Sequence, residues 1–583
     1  MKTHDQNPKG NILLIFPDLD HPTKVFGTRV RPYGPPLGIL YLATELTQLD
    51  YSVKVIDFSA EAYSADKLRS LLANTDVIGI TALSYARNNF HELISEIHQF
   101  NPTLPIMIGG PDCNIKASFA SMTDSVPRLP EGVDVMVLGE AEHTIVSVVD
   151  ALMSEKHEIP PAPGFPPLGG QEGGFIEGGG RQRQSREEKL AQCVGVIFRD
   201  RLTGKVRWGQ PYQDFYDLEL LSPPRFHRDV PPDFRLVNLK AYTLFGLKKC
   251  GVIAPIITSR GCPHKCAFCT RVAQRPPNFS FLLEKEKKSL IKRKEKFQKC
   301  SVTSVACGLI HHRQTSVVEE ANKFYPHTLS VGLTNYRERS AESVLDEIQQ
   351  LADAGFQVLY IVDDNFMVNE RRVHAIMDGI IKRGVKMAIL AQGRVHPCSE
   401  ALYQKMKAAG VQLLSYGLES GNQDVLNFYR KGTTIEQAQR ALELADKCGI
   451  FTHGNFILGA PIETREHIER TIRFAQELPL DAAFFSVLNY TYGSELWNIA
   501  HQKGLIEIYE SDVYADKKRG LGQFSKQELE RFCQKAHYQF YFRPTLWARY
   551  LSKLLRNPNR DFSKLLVRGF LRFSADMLSQ RKK

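Results

Sequence analysis

The sequence is short of the features that mark membrane and secreted proteins. It has no uninterrupted apolar run of the ~18 residues that a membrane-spanning helix requires. Its first apolar run, residues 12–16, has only the length of a strand and follows charged residues, so we expect no secretory leader. Its 11 cysteines are mostly scattered along a long chain, which argues against a disulfide framework. Together these absences predict a cytoplasmic protein.

Excess positive charge is scarce except at one end of the chain. The formal net charge is +11, and residues 543–583 contain eleven Lys and Arg against two acidic residues, a net of +9. The nearly neutral remainder argues against a general nucleic-acid-binding surface. In the tail, Trp547 and Leu551 alternate with Arg549 and Lys553, a pattern that can lie on the inner, anionic face of a membrane. A helix pair packed on the rest of the protein is the alternative.

Three of the cysteines stand close together in the segment 261–269. Cys262, Cys266 and Cys269 have the spacing C-x3-C-x2-C. Thiolates are the usual ligands of iron–sulfur clusters, and three of them leave one iron of a [4Fe–4S] cubane free to bind a small molecule. Zinc normally takes four ligands in paired C-x2-C groups, and no suitable pair lies nearby. Three unrelated core thiols are the other alternative.

The cysteine spacing resembles the signature of the radical S-adenosylmethionine (SAM) enzymes. The resemblance implies that the open iron chelates the amine and the carboxylate of SAM. It also implies that an electron, supplied by a donor such as flavodoxin or ferredoxin, passes from the cluster to SAM and releases a 5′-deoxyadenosyl radical. Cys262, Cys266 and Cys269 are then both the metal ligands and the catalytic residues.

Residues 251–502 contain repeated β-α units with six predicted strands, the fourth of them at 413–416, and Ser340 is predicted to cap a helix that runs to Leu351. They match the partial (β/α)6 barrel of this family, and chemistry in such barrels gathers at the carboxyl ends of the strands. Short elements at successive strand ends resemble the family's SAM-binding elements. They are Phe268 beside the last cysteine, Asp363 and Asp364 for the methionyl ammonium, Arg394 for the carboxylate, Glu419 for the ribose and Gly459 beside the adenine.

Residues 10–152 alternate short apolar strands with amphipathic helices, which predicts a doubly wound, Rossmann-like parallel sheet with a ligand beyond its carboxyl ends. The region resembles the cobalamin-binding domain that precedes the barrel in one large radical SAM subfamily, because it has the turn Thr81-x-Leu83 followed by Gly109-Gly110. The resemblance implies cobalamin binding by a set of strand-end residues. They are Thr81, Leu83, Gly109, Gly110, Gly139 and Glu140. A domain that binds another nucleotide, or none, is the alternative.

The chain lacks the D-x-H-x-x-G element with which some cobalamin proteins place a histidine on cobalt. Asp18, Asp20 and His21 follow the first strand at the wrong spacing. We therefore expect no histidine ligand on the lower face of the cobalt.

Three segments remain outside these two regions. Residues 153–250 are predicted to be a linker with a hairpin around 200–204, and 503–583 a helical basic region. Residues 275–334 interrupt the barrel and contain Cys300, Cys307, His311 and His312. A lid or a second metal site is one interpretation of this insertion, but a solvated excursion is favoured because the four side chains lack zinc-like pairing.

The fold class is therefore α/β: a doubly wound cobalamin-binding domain, a partial (β/α)6 radical SAM barrel and a helical tail. The predicted activity is methylation of an unactivated carbon through a 5′-deoxyadenosyl radical and methylcobalamin. An oxidative cyclisation or rearrangement with the same cofactors is one alternative, and a cobalamin- or redox-sensing protein with a vestigial barrel is another. The basic tail and neutral body favour an apolar small molecule, such as an isoprenoid lipid or a tetrapyrrole, over nucleic acid.

Overall fold

A computed structural model describes most of the two folded regions and part of the tail. The residues it describes are 8–18, 24–25, 28–29, 35–83, 86–114, 128–154, 184–210, 253–270, 336–556, 564 and 567–569.

The N-terminal region forms one seven-stranded sheet and a separate two-stranded sheet. The strands are β1 (Asn11–Phe16), β2 (Lys24–Val25), β3 (Thr28–Arg29), β4 (Ser52–Asp57), β5 (Val77–Thr81), β6 (Ile106–Gly109), β7 (Val135–Val137), β8 (Val196–Arg199) and β9 (Val206–Trp208). The large sheet has the order β4-β1-β5-β6-β7-β8-β9, and β2 pairs with β3. The first five strands of the large sheet are parallel, whereas β8 and β9 are added antiparallel.

Helices cover both faces of this sheet. They are α1 (Leu37–Gln48), α2 (Ala65–Leu72), α3 (Arg87–Phe100), α4 (Ile145–Met153) and α5 (Arg186–Gln192). One apolar core joins α1, α4 and α5 to the sheet, and a second joins α2 and α3 to its other face. The strands are buried on both sides, which explains why their sequences are continuous apolar runs rather than alternating patterns.

The second region is a six-stranded parallel sheet with helices between its strands. The strands that follow in the chain are β10 (Ile253–Ile256), β11 (Ser259–Arg260), β12 (Arg337–Glu338), β13 (Val358–Ile361), β14 (Ala388–Gly393), β15 (Val411–Glu419), β16 (Phe451–Leu458), β17 (Ala482–Val487), β18 (Asn489–Thr491) and β19 (Asp512–Tyr514). The large sheet has the order β10-β13-β14-β15-β16-β17, all parallel. The pairs β11–β12 and β18–β19 are small antiparallel additions.

The helices of this region begin where the sequence offers caps. They are α6 (Ala341–Asp353), α7 (Glu370–Lys382), α8 (Glu400–Ala408), α9 (Gln423–Phe428), α10 (Ile435–Lys447), α11 (Arg465–Glu477), α12 (Glu495–Gln502), α13 (Lys526–Tyr541) and α14 (Pro544–Arg556). The predicted cap at Ser340 is present, because its hydroxyl accepts from the backbone N–H of Ser343 at 3.2 Å. Ser525 and Glu528 form a capping box at the start of α13.

The last two helices, α13 and α14, pack against β17 at the edge of the open sheet. An edge strand has unpaired backbone groups, and α13 supplies partners for those of β17. The Phe485 N–H donates to Nε2 of His537 at 3.0 Å, and the Tyr541 hydroxyl donates to the Ala483 carbonyl at 2.9 Å. In α14, the Tyr550 hydroxyl donates to the Asp481 carbonyl at 2.6 Å, at the amino-terminal end of β17.

The predicted α/β class is confirmed, with a fully parallel sheet in the second region and five parallel strands in the N-terminal sheet, to which β8 and β9 are added antiparallel. The strand positions follow the predicted apolar runs, although β15 extends beyond the predicted 413–416 at both ends. The predicted hairpin around 200–204 is present as β8 and β9, and it continues the N-terminal sheet through the antiparallel pairing of β8 with β7. Among the described helices, none is both long enough and apolar enough to cross a bilayer.

Candidate active site

The three cysteines of the C-x3-C-x2-C loop are free thiols, and each is partly buried. The loop starts at Gly261, whose φ of +81° favours glycine. Two backbone hydrogen bonds hold the loop at Ala267. The Ala267 N–H donates to the Tyr429 carbonyl at 2.8 Å, and the Ala267 carbonyl accepts from the Leu496 N–H at 3.0 Å. Backbone contacts with distant parts of the barrel therefore fix the position of the cysteines.

The segment that leads into this loop is held by buried side chains. Asp363 accepts hydrogen bonds from the backbone N–H and the hydroxyl of Thr258, and a third from the Ser259 hydroxyl at 2.6 Å. Arg339 donates to the Ile257 carbonyl at 3.0 Å, and Arg372 donates to the Thr258 carbonyl at 2.6 Å. Both oxygens of Asp363 are thus occupied, and the carboxylate secures the strand that delivers the cysteines.

Positive charge surrounds the cysteines. Nη1 of Arg394, which follows β14, donates to Sγ of Cys266 at 3.3 Å. Burial raises the pKa of the Cys262 thiol, while the nearby Arg394 guanidinium opposes the rise. Burial, together with Arg394 and Lys431, lowers the pKa of His264 to about 4, so this imidazole is neutral at pH 7.

A buried ion pair lies beside the loop. The Lys431 ammonium donates to Oε1 of Glu419 at 2.6 Å, and both side chains are almost inaccessible. Glu419 has a φ of +64°, an unusual backbone for a residue other than glycine. A Cβ at Gly417 would lie 2.4 Å from Oε1 of Glu419 and 2.9 Å from Nζ of Lys431, so glycine at this position makes room for the pair.

Phe268 packs between this ion pair and a buried tyrosine. Its ring meets that of Tyr429 edge-on with centroids 5.1 Å apart, and Nζ of Lys431 lies 6.0 Å from its centroid. Phe268 therefore connects the cysteine loop to the end of β15.

Gly459 at the end of β16 faces packed side chains. Its φ is +110°, and a Cβ there would lie 2.8 Å from Leu529 and 3.2 Å from Ala515. Its backbone N–H donates to Oε2 of Glu463 at 2.6 Å, as does that of Ala460 at 2.8 Å. Glycine is needed here for the backbone conformation and for the close approach of α13.

A cavity of about 560 Å³ lies between the carboxyl edge of the N-terminal sheet and the barrel. Its inner part runs between the strands and α1, along Leu14, Gly79, Met107 and Leu42. Its outer part reaches Gly261 at the start of the cysteine loop, and the other residues that line this part come from both sheets. They include Thr81, Gly109, Gly110, Gly139, Glu140, Glu142, Arg260, Arg337, Asp364 and Tyr492.

Most of the residues that the sequence assigned to cobalamin line this cavity, but Leu83 is buried and is not part of the lining. Gly110 has a φ of +113°, and a Cβ there would lie 2.8 Å from the Ala82 carbonyl oxygen, so the backbone itself requires glycine. The Gly139 N–H is held by Oδ1 of Asn114 at 2.8 Å, and Asn114 also lines the cavity.

Four charged side chains close the outer wall of the cavity. The Arg337 guanidinium makes a bidentate pair with Glu140, at 2.9 and 2.6 Å. Arg260 bonds Glu142 and lies 3.1 Å from Glu140. Arg260 immediately precedes the cysteine loop, and Glu140 and Glu142 follow β7. The wall therefore joins the N-terminal sheet directly to the segment that carries the cysteines.

The donor sets suit the cofactors that the resemblance implies. No three His, Cys, Asp or Glu side chains in the described residues are arranged to hold a single metal ion. A mononuclear ion would gather thiolates within about 2.3 Å of one centre, whereas a cubane distributes them over three irons. Nη2 of the buried Arg394 has no hydrogen-bond partner within the described part of the chain, so an anionic group of SAM fits beside it. Gly109, Gly110 and Gly139 line the cavity without side chains, which leaves space for the flat corrin ring of cobalamin and its nucleotide tail.

Several residues of the site were not found from the sequence, and others lie outside the described residues. Lys431, Arg260, Arg372 and Asn114 carry no local motif, and only the run 336–340 before the Ser340 cap could have drawn attention to Arg337 and Arg339. The insertion at 275–334, His21 and most of the predicted linker fall on residues that the structure does not describe.

Parts of the chain match two known families. Residues 256–475 match the radical SAM superfamily, and residues 23–149 match the B12 binding domain. An uncharacterized methyltransferase of Pyrococcus horikoshii is 25% identical over 96% of this chain and 98% of its own length.

Two further relatives carry more specific names. The anaerobic magnesium-protoporphyrin IX monomethyl ester cyclase of Rubrivivax gelatinosus is 23% identical over 84% of this chain and 70% of its own. The hopanoid C-3 methylase of Methylococcus capsulatus is 24% identical over 82% and 71%.

Solved structures share the fold. The cobalamin-dependent SAM radical enzyme OxsB, with aqua-cobalamin and SAM bound, superposes with a TM-score of 0.55 at 15% identity, covering 97% of this chain and 75% of its own. The radical SAM methyltransferase TsrM of Kitasatospora setae has a TM-score of 0.52 at 17% identity, covering 85% and 77%.

Proposed function

Because the chain is a cobalamin-dependent radical SAM enzyme of the methyltransferase type, we propose that it methylates an unactivated carbon of an apolar small molecule. The protein uses a [4Fe–4S] cluster, SAM and cobalamin. Bound together, these groups supply a radical that removes a hydrogen atom and a methyl group that replaces it. The observation that carries the proposal is that one and the same cavity is lined by glycines of the N-terminal sheet, Gly109, Gly110 and Gly139, and by Gly261 at the start of the cysteine loop.

The substrate class is inferred from two kinds of evidence. Relatives of the chain are named for a hopanoid and for a magnesium protoporphyrin, both polycyclic. Three exposed apolar side chains form a stripe on α14, namely Trp547, Leu551 and Leu555. This stripe is also consistent with a substrate that partitions into membranes. Another relative, of Streptomyces wedmorensis, is named for the polar cytidylyl-2-hydroxyethylphosphonate, so the exposed stripe of α14 is the observation that favours an isoprenoid lipid or a tetrapyrrole over a polar metabolite.

We assign roles to the chain's own residues from their geometry. Cys262, Cys266 and Cys269 hold the cluster, and Nη2 of Arg394 binds the SAM carboxylate, since it is buried and lacks a partner among the described residues. Both oxygens of Asp363 are already engaged, so the methionyl ammonium is bound by Asp364, which lines the cavity.

The ribose and the cobalamin are assigned in the same way. Glu419, fixed by Lys431, binds the ribose, and Phe268 covers the cluster. Gly459 shapes the end of β16, and Thr81, Gly109, Gly110 and Gly139 face the cobalamin. The buried Leu83 supports the turn that follows Thr81 at the end of β5. Glu140 contributes to cobalamin binding through its ion pair with Arg337 in the outer wall of the cavity.

Product analysis after anaerobic reconstitution with iron, sulfide, hydroxocobalamin, SAM and a low-potential reductant tests the reaction type. S-adenosylhomocysteine together with 5′-deoxyadenosine supports methylation, whereas 5′-deoxyadenosine alone would favour cyclisation or rearrangement. Absence of both from cluster-loaded protein would contradict an enzymatic role.

The C266A variant should retain no [4Fe–4S] absorbance and release no 5′-deoxyadenosine, because two thiolates are left to hold the cubane. Cys448 at the end of α10 gives a matched control, and C448A should keep both properties. A C266A protein with an intact cluster and unchanged SAM cleavage would contradict the assignment of the cysteines.

We further propose that α14 contacts an anionic membrane surface. Trp547, Leu551 and Leu555 are 52%, 60% and 68% exposed and form one apolar stripe on the helix. The net charge of +9 over residues 543–583 complements an anionic surface. Arg549 and Lys553, in contrast, point inward and pair with Asp446 and Asp481. The membrane face is therefore the apolar stripe, and these two cations belong to the packing of the helix.

A further inference from the structure

Arg394 is a buried cation that has no carboxylate partner in the part of the chain that the structure describes. Arg394 is only 6% exposed, and no Asp or Glu among the described residues lies within ion-pair distance of its guanidinium. The neighbouring buried cation, Lys431, is neutralised by Glu419. An unpaired buried charge is unfavourable unless an anion reaches it, so the guanidinium calls for a negative partner at this position.

The contact that Arg394 does make is with a cysteine of the loop. Its Nη1 donates to Sγ of Cys266 at 3.3 Å. A guanidinium that donates to an ionised sulfur makes a charge-assisted hydrogen bond, which is stronger than a neutral one. The partner that this position requires is thus the thiolate of Cys266 and the cluster that it would carry.

The surrounding backbone holds the guanidinium in place. The Arg394 N–H donates to Oδ1 of Asn365 at 3.2 Å. At the preceding Gly393, a Cβ would lie 2.9 Å from Met367 and 3.2 Å from Oδ1 of Asn365, so glycine allows β14 to approach this turn. Gly432 leaves space beside Nη2, because a Cβ there would still lie 3.9 Å away. The position of the charge is fixed by packing.

We propose that Arg394 raises the reduction potential of the [4Fe–4S] cluster. Reduction transfers one electron from a low-potential one-electron carrier to the cluster, which becomes more negative by one charge while no covalent bond is made or broken. A fixed cation hydrogen-bonded to a cluster sulfur stabilises the reduced state more than the oxidised state. The inference rests on the proposed function, since it requires that the three cysteines hold the cluster.

This role is separate from the binding of SAM. Nη1 is directed to the sulfur, and Nη2 is left for the carboxylate of SAM. A potential measured in the absence of SAM therefore reports the contact with Cys266 alone.

The test is an anaerobic redox titration of the reconstituted protein without SAM, with the reduced cluster detected by electron paramagnetic resonance. R394M should lower the equilibrium constant for reduction at least tenfold, which for one electron is a shift of about 59 mV to more negative potential. R394K, which keeps the charge but loses the planar fork, should shift the midpoint less. The exposed Arg473 on α11 provides a matched control, and R473M should match the wild type.

The midpoint potentials of these variants distinguish failure of the inference from failure of the proposed function. A midpoint of R394M equal to that of the wild type would overturn the inference while leaving the proposed function intact. If R394M assembles no cluster, R394K takes its place, and an unshifted R394K midpoint would overturn the inference. If neither variant holds iron and sulfide, Arg394 is a requirement for cluster binding rather than a determinant of its potential. A wild-type protein that takes up no cluster would instead overturn the proposed function.

Discussion

At the scale of single residues, a buried carboxyl group close to the end of β16 lies in a strongly perturbed environment. Glu463 is inaccessible to solvent. Oε2 accepts from the N–H groups of Gly459 and Ala460, but Oε1 has no partner within the described residues. Burial raises its pKa to about 7, although the two backbone hydrogen bonds oppose the rise. Near neutral pH this group therefore changes its protonation inside the fold.

The stability of the barrel should depend on this titration. The pKa of Glu463 is higher in the folded than in the unfolded protein, so its contribution is present in full below about pH 4.5 and is lost as the pH rises through 7. In E463Q the amide oxygen can accept the same two backbone hydrogen bonds without ionising. Between pH 5 and pH 8 the wild type should lose about 2–3 kcal/mol of unfolding free energy relative to E463Q.

Denaturant unfolding of both proteins at several pH values measures this difference. Glu469 lies on α11 in a surface pair with Lys535, and E469Q should follow the wild type at every pH. A constant difference between wild type and E463Q across the range would show that Glu463 keeps the same protonation state throughout.

At the scale of elements, the local features were predictable and the long-range pairs were not. Continuous apolar runs located the strands, and the serine cap located α6, because both signals lie within a few residues of the element. Arg394 and Cys266, in contrast, are 128 residues apart, and Arg337 and Glu140 are 197 apart. Arg394 was predicted from its place at a strand end, but its bond to Cys266 was not, and neither was the pairing of Arg337 with Glu140, since only the folded sheets bring these partners together.

The same limit applies to the tail. Its alternation of apolar and basic residues is compatible with either face of α14 lying on the protein. The packing decides between them, because Leu546 and Tyr550 are buried while Leu551 and Leu555 are exposed. Arg549 and Lys553 belong to the inner face, where Arg549 donates to Asp446 near the end of α10 and Lys553 donates to Asp481 just before β17.

The next prediction concerns the ion pair in the outer wall of the cavity that connects the end of β7 to β12. Glu140 follows β7, and Arg337 lies on β12 next to the strand that precedes the cysteines. If Glu140 acts on cobalamin through this pair, E140Q and R337M should each weaken cobalamin retention by about 2 kcal/mol, or roughly 30-fold. The double variant should be no weaker than either single one, because both changes remove the same interaction.

Equilibrium dialysis with hydroxocobalamin measures the four affinities of this double-mutant cycle. The partly exposed pair of Arg519 and Glu510, far along the chain, serves as the control, and E510Q should leave cobalamin retention unchanged. Additive losses in the double variant would mean that Glu140 touches cobalamin independently of Arg337.

At the scale of the whole molecule, α14 has two faces with different tasks. Its inner face closes the amino-terminal end of the barrel, where Lys553 donates to the Ile450 carbonyl at 2.9 Å and Tyr550 to that of Asp481 at 2.6 Å. Its outer face is the stripe of Trp547, Leu551 and Leu555. Deleting residues 543–583 would remove both faces together, so a deletion cannot separate membrane binding from stability.

Substitution of the stripe alone does separate them. Flotation with vesicles containing anionic lipid should carry the wild type, and W547S/L551S/L555S should lose most of this association, because each apolar side chain buried in the bilayer contributes about 1.5–3 kcal/mol. Raising the salt concentration should weaken the wild-type association, since the charge of +9 acts within a Debye length of the surface.

The matched control removes three exposed apolar side chains from elsewhere. Leu49, Leu202 and Ile381 are 42%, 91% and 46% exposed and lie in different elements. L49S/L202S/I381S should float like the wild type, and both triple variants should keep the wild-type unfolding midpoint, since none of the substituted side chains is in a core. Equal flotation of the stripe variant and the wild type would exclude α14 as the membrane contact, and binding that persists at high salt with neutral vesicles would show that charge plays no part in it.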